Sequence, residues 1–119
     1  MTDMHFIKGA TSAGTSGRSK DVLNPATGLV VGSVPLASAS EIDTAVAAAK
    51  AALPGWANTP SAKRAQIMFK FRDLINQNMD KIAGLISGQH GKTLDDARGE
   101  VARGLEVVEF ACGIPHLLK

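Results

Sequence analysis

Tyrosine is missing from the 119 residues, and tryptophan and cysteine occur once each. With aromatics at only 4% of the chain, stacking platforms for single-stranded nucleic acid are scarce. The lone Cys112 rules out an internal disulfide and fits a reducing compartment. Charge of one sign is also lacking: 13 basic and 11 acidic residues are interspersed and leave a net +2. That balance points to no nucleic-acid partner and no anionic membrane surface. No apolar run approaches the roughly 20 residues of a membrane span. The start, Met1-Thr2-Asp3-Met4-His5, has no basic region leading into an apolar segment, so no secretory signal is expected. These absences together lead to the expectation of a soluble, cytoplasmic protein.

What remains is an ordinary globular composition, 45% hydrophobic and 20% charged, sufficient for at most one domain. The pattern along the chain predicts an α+β fold, with short antiparallel strands over about 5–36 and about four helices over about 39–113. His5-Phe6-Ile7 and Asp21-Val22-Leu23 are extended candidates for a two-stranded unit. Between them Gly9 to Lys20 is turn chemistry throughout. In Asn24-Pro25-Ala26-Thr27-Gly28, Pro25 pre-sets a turn and Gly28 supplies the positive φ that closes it. Leu29 to Val34 then reads as a third strand, ended by Pro35.

From residue 38 the apolar period lengthens to that of a helix. Ser38 and Glu41 have capping-box spacing, and Ile42, Ala45, Val46, Ala49 and Leu53 form one stripe before Pro54-Gly55, which is expected to stop the helix. Trp56 follows as a packing anchor. Thr59 is the expected N-cap of a second helix, with Pro60 at its first position and Met68, Phe71, Leu74 and Ile75 inside. Lys63, Arg64, Lys70 and Arg72 read as its solvated flanks. A third helix runs from about Met79 to Gln89 with Ile82, Leu85 and Ile86 inside, capped by Gly91. Thr93 starts the longest helix, with Asp95 and Asp96 in its first turn. Leu94, Ala97, Val101, Leu105, Val108 and Cys112 line one side of it; Glu100, Arg103, Glu106 and Glu109 occupy the other. Gly99 and Gly104 suggest close approach by another backbone, and Gly113-Ile114-Pro115 should end or bend the helix. No linker divides the chain.

The sharpest local motif is His90-Gly91-Lys92-Thr93. A phosphate-binding loop would require a glycine at 86, where Ile86 stands, and a strand before it, where the period is helical. A helix cap, a basic residue beside helix C-terminal carbonyls and a Thr N-cap explain the same residues. Cys112 lies on an apolar stripe without an adjacent base, the setting of an inert core thiol. His5, His90 and His116 show no metal-ligand spacing. Asp95 with Asp96 suits a helix start, and Glu106 with Glu109 a solvated face. The residues therefore predict no catalytic, cofactor-binding or metal-binding side chain.

A resemblance adds what the residues alone do not. Asn24-Pro25-Ala26-Thr27-Gly28, Ala45 to Ala49, Trp56, Ser61-Ala62-Lys63-Arg64, Leu85 to Lys92 and Asp96-Ala97-Arg98-Gly99-Glu100-Val101, in that order, resemble the amino-terminal region of the aldehyde dehydrogenase superfamily. Gly104 to Lys119 is similar to its CoA-acylating methylmalonate-semialdehyde dehydrogenase branch, with Gln89 standing where that branch often has Glu. The resemblance implies the opening part, roughly the first quarter, of an aldehyde dehydrogenase-like α/β fold. It implies oxidation of a malonate or methylmalonate semialdehyde to an acyl-CoA, with NAD and coenzyme A serving the full-length protein. The family's nucleophilic cysteine sits in a downstream Gly-Gln-x-Cys type motif that nothing here matches. The segment is then expected to be scaffold, inactive alone, with the remainder of the same polypeptide or a full-length homologue as partner and a homo-oligomer at full length. A free-standing, truncated, non-catalytic interaction module is the alternative.

Overall fold

The computed structural model describes residues 4–118; the start of the chain and Lys119, on which two of the readings above touch, lie outside the described residues. The chain divides into two units, Met1–Asn58 and Thr59–Lys119.

The first unit carries four short strands and one helix. Strands β1 (His5–Ile7) and β2 (Ala10–Ser12) pair antiparallel, with His5 opposite Ser12 and Ile7 opposite Ala10. Lys8 and Gly9 make the turn at φ 55° and 79°, the double positive φ of a two-residue hairpin turn. Strands β3 (Ser19–Leu23) and β4 (Val30–Pro35) form a separate antiparallel pair, bulged between Val22 and Leu23. This corrects the expected pairing: 5–7 does not join 21–23, and Ala10–Ser12, read as turn, is a strand. Lysine is an unusual residue at positive φ, so the hairpin had no signal at its first turn position. The β3–β4 connection is as expected. The Asn24 Oδ1 accepts from the Ala26 and Thr27 amides at 2.8 and 3.2 Å, and Gly28 sits at φ 71°.

Helix α1 (Ala39–Ala57) opens on the full capping box, the Ser38 amide donating to Glu41 Oε2 at 2.8 Å and the Glu41 amide to Ser38 Oγ at 3.3 Å. Pro54 does not stop it. The ring removes one donor, but the Asn58 amide donates to the Pro54 carbonyl at 3.1 Å and closes a further turn. Trp56 therefore lies inside α1 and is 45% exposed, and Ile42, Val46 and Leu53 of its stripe are exposed as well. Within the first unit Ala45 of the stripe is half-buried, and the anchor and the larger stripe residues are left open.

The second unit is helical: α2 (Ser61–Gln77), α3 (Met79–His90) and α4 (Leu94–Gly113), followed by a 3-10 turn at Ile114–His116. The α2 start shifts by one residue, because the Pro60 carbonyl, in the N-cap place, accepts from the Lys63 and Arg64 amides. Helix α4 packs against both α2 and α3. Its stripe is placed as expected: Ala97, Val101 and Cys112 are buried and Leu105 and Val108 half-buried, while Leu94 at its start is exposed. The centre is Ala83, Ala97 and Val101, with Ile75, Met79, Ile82 and Ile86 against it. The expected inner face of α2 is corrected: Ala65 is its buried residue and Met68 and Ile75 are half-buried, whereas Phe71 and Leu74 face outward. Leu85 of α3 is likewise exposed.

Candidate functional site

Around Gly91 the backbone and side chains settle what the sequence motif does. Helix α3 precedes it, with Ile86 on that helix. Gly91 takes φ 84° and its amide donates to the Ser87 carbonyl at 2.8 Å, while Ser87 Oγ donates to the Lys92 carbonyl at 2.7 Å. Thr93 Oγ1 accepts from the Asp96 amide at 3.2 Å and donates to Asp96 Oδ2 at 2.7 Å. Lys92 does not cover helix C-terminal carbonyls as expected; its ammonium pairs with Glu100. That hydrogen bond is the main reason the Glu100 carboxyl titrates below its ordinary range. Glu100 is thus an ion-pair partner, not merely part of a solvated face. The amide of Gly91, the hydroxyl of Thr93 and the ammonium of Lys92 are each taken up within the protein. The turn is a cap joining two helices.

Arg98 makes a second clasp between the same helices. Its Nε donates to Asp80 at 2.8 Å and its Nη1 to Asp95 at 2.9 Å, tying the first turn of α3 to the first turn of α4. Arg72 pairs with the neighbouring Asp73 at 2.7 Å and lies over the Phe69 ring at 5.7 Å. Arg64 is also not a simple solvated flank, since its Nε is buried.

The other titratable candidates are dispersed. Cys112 is buried in α4, and Glu106 and Glu109 are exposed on the same helix. His90 ends α3 and His116 lies in the last turn, both exposed. His5 is in β1, with its Nε2 enclosed near Gly14 and Pro35. Among the described residues no three His, Cys, Asp or Glu side chains converge as a metal site. Among the described residues no backbone presses on Gly99 or Gly104: an added Cβ would meet only Arg103 Nη1 at 4.0 Å at the first and nothing within 4 Å at the second.

What the sequence reasoning missed is an apolar trough on the outer side of α2. One part, about 530 Å³, is floored by Ile67, Met68, Phe71 and Leu74. The next, about 320 Å³, shares Phe71 and Leu74 and continues past Ile82 to Leu85 of α3. Ile67, Phe71 and Leu74 have helical spacing, so a second stripe on α2 was visible in principle. Its merging with the Met68–Ile75 stripe hid it.

Residues 12–119 match the aldehyde dehydrogenase family. The chain is 48% identical over 119 residues to a malonate-semialdehyde dehydrogenase of Pseudomonas aeruginosa, covering 100% of this chain and 24% of that protein. A crystal structure of methylmalonate-semialdehyde dehydrogenase from Oceanimonas doudoroffii superposes with a TM-score of 0.94 at 47% identity, and covers 100% of this chain and 24% of its own. One assigned to the same activity from Sinorhizobium meliloti 1021, complexed with NAD, superposes at 0.95 with 52% identity and the same coverage. The chain thus spans about a quarter of the length of the relatives it matches. Across all but its first eleven residues, this chain belongs to the aldehyde dehydrogenase family.

Proposed function

We propose that this chain forms the amino-terminal quarter of an NAD-dependent, CoA-acylating malonate- or methylmalonate-semialdehyde dehydrogenase, and serves that enzyme as scaffold. The observation that carries the reading is 48% identity to a malonate-semialdehyde dehydrogenase along the entire chain. Relatives named for both semialdehydes, some of them described as acylating, support the substrate class and coenzyme A as acyl acceptor. NAD would supply the hydride acceptor. The contribution of the residues here is to hold α3 and α4 together through the Gly91 cap and the Lys92 and Arg98 ion pairs. The enzyme is proposed to work in the cytoplasm as a homo-oligomer; among the described residues no helix is long and apolar enough to cross a membrane.

The test is to supply the 119-residue chain with NAD, coenzyme A and each semialdehyde in turn, and to follow NADH. No turnover is expected, whereas turnover abolished by Cys112→Ala would overturn the scaffold role. Reading the gene beyond the codon for Lys119 tests the family assignment separately: an open frame reaching a Gly-Gln-x-Cys motif is expected.

A further inference from the structure

We draw no further inference here: the strongest candidate, the polar hollow of about 200 Å³ that Gly14, Ser16, Arg18, Ser19 and Ser33 line in the first unit, selects no ligand, because Ser16 Oγ and Arg18 Nη2 already donate to the Leu36 and Ala37 carbonyls and Asp21, opposite Ser33, sets a carboxylate on the same face of the strand pair.

Discussion

Gly91 and Gly104 are the same residue under opposite constraints. Gly91 holds a left-handed conformation at φ 84°, which a Cβ disfavours by about 1–2 kcal/mol. Gly104 lies inside α4, where an added Cβ meets open space and helix propensity favours alanine by up to about 1 kcal/mol. Gly91→Ala is therefore expected to speed amide hydrogen exchange at the end of α3 by roughly tenfold, and Gly104→Ala to slow it in the middle of α4. Exchange followed by NMR checks both, and needs no global two-state unfolding. A destabilising Gly104→Ala would show that another backbone rests on α4 after all. Residue-scale features of this kind were legible in the sequence wherever their cause lies within a few positions. The Gly91 cap, the Thr93 N-cap and the positive φ of Gly28 all meet that condition.

At the scale of elements, legibility divides on the same ground. The end of α3 and the start of α4 follow from local caps, Gly91 and Thr93, and are legible in the sequence. The pairing of β1 with β2 depends on Lys8 at φ 55°, which no turn propensity announces, and so is not legible in the sequence. Which side of α2 is inner is decided by α4, from which Phe71 and Leu74 turn away although their spacing marks them as core. Helix α1 offers the clearest element-scale test, because one carboxylate fixes its start. The Glu41 carboxyl is held below the ordinary carboxylate range, first by the Ser38 amide and then by the Ser38 hydroxyl, with desolvation opposing. A depressed folded value means that the stabilisation is complete above the unfolded value, about 4.3, and is lost as pH falls through the folded one. The Ser38 amide resonance and the helicity of α1 should accordingly change as pH drops below about 4.3. Glu41→Gln should remove that titration and lower helicity at neutral pH. A Ser38 amide that titrates equally in both proteins would refute the role given to Glu41.

For the molecule as a whole, the decisive quantity is how little is enclosed. Among the described residues only Ala65, Ala83, Ala97, Val101 and Cys112 are buried, and none of the large side chains is fully buried. Apolar burial is the main favourable term in folding, and small side chains contribute least to it. A cooperative domain of this length would absorb about 80 kcal/mol on melting near 60 °C, at roughly 0.7 kcal/mol per residue. The isolated chain is expected to fall well short of that in calorimetry, to melt over a broad range, and to bind a dye that reports exposed apolar surface. Its helices should nevertheless be present by circular dichroism, since the caps and the Ala83–Ala97–Val101 contact lie within the second unit. This measurement also separates the scaffold from an independent interaction module. A module must complete its own core, and so must melt sharply with an enthalpy near the full value and without dye binding. A scaffold leaves the trough on α2 and the stripe on α1 for other parts of the enzyme to cover. A sharp, dye-silent transition near 80 kcal/mol would thus favour the module and end the scaffold reading.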